Sequence, residues 1–152
     1  MEKNEKIAEV LNDLIEINND RIEGYEKAAK ETASEDADLR SVFTAMADES
    51  KTYAAELKKH VQIAGEEPAE GTTQRGKIYR VWMDVKAAVT GKNRKSILDS
   101  CEFGEDAAQR AYNTALETEE LSPEVRTLIT EQKSMLRKSH DKIKAMRDTQ
   151  SA

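Results

Sequence analysis

The 152-residue sequence contains little cysteine, proline and glycine, and few aromatic residues. It contains two Pro and six Gly, and only 5% of its residues are aromatic, so we do not expect a large β-sandwich core. Its single cysteine, Cys101, cannot form an internal disulfide, which is typical of a protein in a reducing compartment. No stretch has the length and apolarity of a membrane span, and the N-terminus lacks the apolar core of a signal peptide. We therefore expect a cytoplasmic protein with no membrane partner.

Charged residues make up 36% of the chain and hydrophobic residues 38%, a mixture that favours helices. The net charge of −6 argues against a protein that coats nucleic acid. One short basic cluster, at Lys86, Lys92, Arg94 and Lys95, lacks interleaved aromatic residues, so no nucleic-acid partner is expected. The sequence contains no Gly-rich phosphate loop, nucleophile elbow or Cys-x-x-Cys pair, which leaves hydrolase, kinase and thiol-redox chemistry without support.

Apolar residues recur at three- and four-residue spacing in four long segments, the period of an amphipathic helix. This pattern predicts a single domain over residues 1–152, with helices at about 4–32, 35–64, 94–119 and 123–148. Ser34 is the predicted N-cap of the second helix, and Gly65 is its predicted stop. Ser122, followed by Pro at the first helical position, predicts the start of the fourth.

The connection between the second and third helices, residues 66–93, is long enough to run the length of a bundle. It contains a predicted short helix with an apolar stripe at Ile78, Val81, Trp82 and Val85. One long crossover of this kind is typical of ferritin-like four-helix bundles, whereas simple up-and-down bundles have short loops throughout. The stripe is also a candidate surface for a homo-oligomer, because aromatic residues are enriched at interfaces. Packing of the same stripe on the bundle is the alternative.

Polar residues interrupt the apolar stripe of the first helix. Asn18 and Arg21 lie on the seam that should face the other helices, where a polar or charged side chain needs a partner. Tyr25, Tyr53 and Tyr112 are predicted core residues whose hydroxyls bond to a polar layer at mid-bundle. Together these five residues form a predicted structural polar cluster.

Three parts of the sequence resemble a known family: residues 10–28 (VLNDLIEINNDRIEGYEKA), residues 101–116 (CEFGEDAAQRAYNTAL) and segments of residues 121–148 (LSPEVRTLITEQ and SHDKIKAMRD). The phrases NNDRIEGY and GEDAAQRAY are the most specific of these. They resemble the ferritin-like superfamily, and within it a bacterial four-helix-bundle family of unknown function, some of whose members are linked to stress response. The resemblance implies a fold and says little about activity.

Ferritin-like di-iron proteins use one Glu from each of two helices and Glu-x-x-His from each of the other two. Here Asn18 stands at one expected Glu position, whereas Glu105 is retained at its counterpart. Glu49 lies at a suitable depth, but Thr52 follows it where His is expected. The aligned pair in the fourth helix is Met135 and Lys138. Two of six ligands do not make a ferroxidase centre.

Two hypotheses remain for the polar centre of the bundle. In the first, Arg21, with Arg137 as a second candidate, neutralises Glu49 and Glu105 in a salt-bridge cluster. The protein is then a non-enzymatic scaffold or stress-associated interaction protein without a cofactor.

In the second hypothesis, Glu49, Glu105 and His140 bind Fe, Mn or Zn, with Glu23 or Glu102 as a further ligand. The protein is then a metal-binding protein or an oxidoreductase with an unusual site. The partner of the two central carboxylates separates the two hypotheses: an arginine in the first, a metal in the second.

Overall fold

The computed structural model describes residues 2–32, 36–71 and 94–149. Over these ranges the secondary structure is helical and no strand occurs, which confirms the predicted all-α class. The described residues form four helices, α1 (Glu2–Glu31), α2 (Ala37–Ile63), α3 (Arg94–Leu116) and α4 (Pro123–Asp148). Ser34, the predicted crossover helix and its apolar stripe at Ile78, Val81, Trp82 and Val85 lie outside the described residues.

The helix ends follow from local side-chain chemistry. The Ser122 hydroxyl accepts a hydrogen bond from the Val125 N–H at 3.2 Å, and Pro follows at the start of α4. Gly65 has a φ of +82°, the left-handed conformation that suits glycine after a helix. Helix α3 ends at Leu116, before the predicted end near residue 119. The Arg126 guanidinium binds the carbonyls of Leu116 and Thr118 at 2.9 and 2.8 Å, so it satisfies acceptors that a longer helix would use itself.

The side-chain pairings fix the direction of each helix. Along α1, Asn18 contacts Tyr112 and Arg21 contacts Glu105, so α1 and α3 are antiparallel. Val61, near the end of α2, belongs to the same apolar cluster as Ile7 near the start of α1. Ile97, near the start of α3, belongs to a second cluster together with Leu39 near the start of α2. Helices α2 and α3 therefore run in the same direction, and the chain between Ile63 and Arg94 connects opposite ends of the bundle.

The core consists of two apolar clusters with a polar layer between them. One cluster contains the buried apolar side chains of the first half of α1. The second contains the buried apolar side chains at the start of α2 and of α3. We define the polar layer as the hydrogen-bonded side chains at mid-bundle, namely Asn18, Arg21, Glu49, Ser50, Glu105, Tyr112, Gln132 and Ser139. Each helix contributes at least one of them. None of the described helices has the length and apolarity needed to cross a membrane.

Candidate functional site

Arg21 lies at the centre of the polar layer and is completely buried. It forms a two-point ion pair with Glu105 on α3, with Nε 2.6 Å from Oε1 and Nη2 2.9 Å from Oε2. Glu105 is itself 1% exposed. This planar fork-to-fork geometry is the strongest arrangement available to a guanidinium and a carboxylate.

The remaining guanidinium contacts come from α2. Nη2 lies 2.9 Å from Oε1 of Glu49, whose side chain is 21% exposed. Nη1 donates to the Ser50 hydroxyl at 2.8 Å and to the Met46 carbonyl at 3.1 Å. Each nitrogen of the guanidinium thus has an acceptor, which is the condition under which a buried charge is tolerated.

The charge on Arg21 is permanent. Burial is the largest single influence and lowers its pKa, but Glu105, Tyr25 and Glu49 together raise it by more, so the pKa lies above the ordinary arginine value. The guanidinium carbon also lies 5.2 Å from the centre of the Tyr25 ring, a cation–π contact. A fixed positive charge therefore occupies the space between Glu49 and Glu105.

A chain of hydrogen bonds extends from Arg21 to the other side of the bundle. The Ser50 hydroxyl donates to Asn18 Oδ1 at 2.9 Å, and Asn18 Nδ2 donates to the Tyr112 hydroxyl at 2.9 Å. Tyr112 then donates to Gln132 Oε1 at 2.7 Å. Gln132 Nε2 in turn donates to the Tyr53 carbonyl at 3.2 Å. The chain links all four helices.

Sequence reasoning did not include Ser50, Gln132 and Ser139 in the site. All three are buried, and Ser139 donates to Glu49 Oε1 at 2.9 Å. The signal that could have identified them is the one that identified Arg21. Each of them is a polar residue in an otherwise apolar helical stripe, at the same depth in the bundle.

Of the predicted tyrosines, Tyr112 belongs to this layer, whereas Tyr25 and Tyr53 lie beside it. Burial is the main cause that raises the pKa of Tyr25, Tyr53 and Tyr112 above the ordinary value. The Tyr25 ring is also tilted against Phe43, with centroids 5.7 Å apart. Burial likewise raises the pKa of the Cys101 thiol, which has no exposed surface, so this thiol is unreactive in the folded protein.

The residues present do not fit the di-iron centre that the ferritin-like resemblance implies. The Arg21 guanidinium lies between the two retained carboxylates and repels a cation. Thr52, Met135 and Lys138, at positions where ligands are expected, are exposed. No di-iron chemistry follows from this arrangement.

The structure places His140 beside a different set of carboxylates. Its Nε2 lies 2.7 Å from Oδ1 of Asp106, and its Nδ1 lies 3.0 Å from Oδ1 of Asp141. Ligand atoms of Glu102, Asp106 and His140 lie within 4.8 Å of one another. Among the described residues, no corresponding group joins His140 to Glu49 and Glu105.

The other sequence candidates also lie away from the centre. Arg137 is 60% exposed and pairs with Asp141 at 3.2 Å, so it does not neutralise Glu49 or Glu105. Glu23 is exposed, and His60 is half-buried near the end of α2. A groove of about 360 Å³ between α1 and α3 is lined by Val10, Leu14, Ile17 and neighbouring residues, and no residue of the polar layer lines it.

The model of one protein family, the Domain of unknown function (DUF2383), matches residues 6–120. The chain belongs to this family. The DUF2383 match includes Arg21, Glu49 and Glu105, and it ends before α4, which carries Gln132 and His140. This match agrees with the expectation from the sequence that the chain resembles a family of unknown function. A comparison with the curated proteins found no match.

Proposed function

We propose that this protein is a ferritin-like bundle without a di-iron site, and that it acts as a non-enzymatic helical scaffold or interaction protein. The observation that carries the proposal is Arg21. Its buried guanidinium pairs with Glu105 and Glu49, the two carboxylates that would otherwise be free to hold a metal. Its remaining donors bind acceptors on α2, which supports a structural role for this layer.

The direction of the helices supports the ferritin-like part of this proposal. Helices α2 and α3 run in the same direction, and the chain between them connects opposite ends of the bundle. A bundle with a single long crossover between its second and third helices has this arrangement. The pairing of an α1–α2 hairpin with an α3–α4 hairpin agrees with it.

An iron-oxidation assay tests the non-enzymatic part. We expect the wild-type protein to leave the rate of Fe(II) oxidation by oxygen equal to that of buffer. Glu49→Gln and Glu105→Gln serve as matched variants, because each removes one central carboxylate charge. Accelerated oxidation by the wild type that both variants lose would contradict the proposal and support the alternative of a metal-dependent oxidoreductase.

The partner in this proposal is a second copy of the chain, bound through the stripe of Ile78, Val81, Trp82 and Val85. Trp82 supplies the large aromatic surface that such contacts favour. Gel filtration with light scattering should give a mass of two chains for the wild type and of one chain for Trp82→Ala. A wild-type monomer at all concentrations would exclude the homodimer.

The resemblance to a family with stress-linked members adds a cellular role to the proposal. We expect the amount of the protein to rise when the source cells meet osmotic or oxidative stress. Quantitative immunoblotting before and after each stress measures this. An unchanged amount under both conditions would remove the stress association and leave the scaffold role in place.

A further inference from the structure

We propose that Glu102, Asp106 and His140 form a binding site for one Zn²⁺ ion at the seam between α3 and α4. The site is separate from the polar layer and goes beyond the scaffold function. It uses two carboxylates from α3 and an imidazole from α4, so a bound ion links the two helices. The contacts of Tyr112 with Gln132 and of Asp106 with His140 show that α4 is antiparallel to α3.

The positions of the three side chains suit a single ion. Glu102 and Asp106 are four residues apart on α3, which places them on the same face of the helix. Ligand atoms of all three residues already lie within 4.8 Å of one another. Tetrahedral zinc with ligands at about 2.1 Å requires separations of about 3.4 Å. The Asp106 side chain is 41% exposed and therefore has room to rotate towards such a geometry.

The orientation of His140 is the second observation. The residue is 5% exposed, so its ring has little freedom. Asp141, which is not one of the three ligands, contacts its Nδ1 at 3.0 Å. A carboxylate on one imidazole nitrogen, with the other nitrogen directed at the ligands, is the arrangement that supports metal-bound histidines. Nε2, the nitrogen that remains, faces Asp106.

The cations at this seam have partners outside the three ligands. Arg147 and Lys95 contact Asp99, and Arg137 contacts Asp141. Arg147 pairs with Glu102, but it also contacts Asp148 at 2.8 Å and Asp99 at 3.5 Å. It therefore keeps two carboxylate partners when Glu102 turns towards an ion.

The ligand types indicate zinc. A site with one imidazole and two carboxylates suits Zn²⁺, Mn²⁺ or Fe²⁺ better than Mg²⁺ or Ca²⁺, which prefer oxygen ligands alone. Three protein ligands and one water complete the four-coordinate geometry that zinc adopts. The partly exposed Asp106 gives the ion and the water a path from solvent.

Calorimetric titration of the metal-free full chain with ZnCl₂ tests the site. We expect one Zn²⁺ per chain, and a loss of affinity of more than roughly 100-fold in Asp106→Asn and His140→Gln. Asp141→Asn should weaken binding by about 10- to 100-fold, since it removes only the orienting partner. His60→Gln is the matched control, because it removes the other histidine, and it should bind as the wild type does.

Three results would overturn the site. The first is a wild-type protein that binds no Zn²⁺ at millimolar concentration. The second is unchanged affinity in Asp106→Asn and His140→Gln. The third is loss of binding in Glu49→Gln or Glu105→Gln instead, which would place the ion in the polar layer and contradict the proposed function as well.

Circular dichroism shows whether each variant is folded. Asp106→Asn changes a partly exposed side chain and decides the outcome if His140→Gln fails to fold. Absorbance of bound Co²⁺ gives a second signal, because a four-coordinate nitrogen–oxygen site has a characteristic visible spectrum. Absence of Zn²⁺ binding by the wild type, or unchanged affinity in Asp106→Asn and His140→Gln, leaves the scaffold proposal intact.

Discussion

Arg21 and Glu105 depend on each other because neither is accessible to water. Arg21 has no exposed surface and Glu105 is 1% exposed, so solvent cannot replace either partner. Breaking such a pair leaves an uncompensated buried charge, which costs far more than the net worth of the intact pair. The same reasoning predicts that removing both charges together is tolerated.

The first prediction concerns this pair. Glu105→Ala should lower the free energy of unfolding by about 3–5 kcal/mol, because Arg21 then keeps only the partly exposed Glu49 as a carboxylate partner. Urea denaturation measures the change. Glu26→Ala is the control, since its ion pair with Lys51 is 52% exposed on both sides and solvent screens it, so its removal should change the free energy of unfolding far less.

A double variant sharpens this test. Arg21→Met combined with Glu105→Leu replaces the buried pair by apolar side chains and should recover most of the stability lost in Glu105→Ala. A double variant that is less stable than Glu105→Ala would show that the pair contributes more than mutual neutralisation. The cause would then lie in the bonds from Arg21 to Ser50 and Met46.

At the scale of the element, the start of α4 depends on one hydroxyl. The second prediction is that Ser122→Ala lowers the free energy of unfolding by about 1 kcal/mol, because the Val125 N–H loses its acceptor. Ser122→Gly should cost only a few tenths of this, since glycine leaves the N–H open to water. Equal losses in the two variants, measured by urea denaturation, would contradict a capping role.

The third prediction concerns the end of α2. Gly65 has a φ of +82° and nothing lies within 4 Å of the position where a Cβ would be. Gly65→Ala should therefore destabilise the protein by about 1 kcal/mol through backbone strain alone. Gly71→Ala is the matched control, because its surroundings are equally open and its φ is not in this region. A thermal shift in both variants or in neither would contradict the assignment.

At the scale of the whole molecule, the buried tyrosines and Cys101 make stability sensitive to alkali. Their pKa values are raised in the folded state, mainly by burial. The unfolded chain loses the same protons at a pKa of about 10 for tyrosine and about 8.5 for cysteine. The contribution of each group to the free energy of unfolding is therefore complete below its unfolded-state pKa. Above that pKa the contribution falls by about 1.4 kcal/mol per pH unit for each group.

The fourth prediction follows from this sign. The urea midpoint should be constant near pH 7–8, decline slightly from pH about 8.5 and fall steeply above pH about 10. Cys101→Ala should remove the early decline, and tyrosinate absorbance should rise together with the loss of helical circular dichroism. Ionisation of two or more of the four tyrosines before unfolding would contradict it.

Much of the fold could be predicted from local pattern. The spacing of apolar residues along α1 and α4, together with the Ser122 cap, depends on residues that are near neighbours in the chain. The interrupted stripe at Asn18 and Arg21 likewise indicated that polar partners were needed. Helix α3 ends earlier than predicted, and Arg126, which belongs to the next helix, binds the carbonyls of Leu116 and Thr118 at and beyond its end.

The rotation of each helix about its own axis decides which side chains meet at the site. Counting residues placed His140 at the height of Glu49, and the structure confirms neither a contact nor a shared ligand group between them. Successive helical residues differ by about 100° in direction. Ser139 therefore faces Glu49 on α2, while His140 faces Asp106 on α3.

The sequence by itself determined the four amphipathic helices, their approximate ends and the need for buried polar contacts at mid-bundle. These properties depend on side chains within one or two helical turns of each other. Only the tertiary structure decided that Arg21 binds Glu105 and Glu49, and that His140 joins Glu102 and Asp106. The physical reason is that each helix can rotate about its axis without changing its own pattern, and only packing against the other three fixes that rotation.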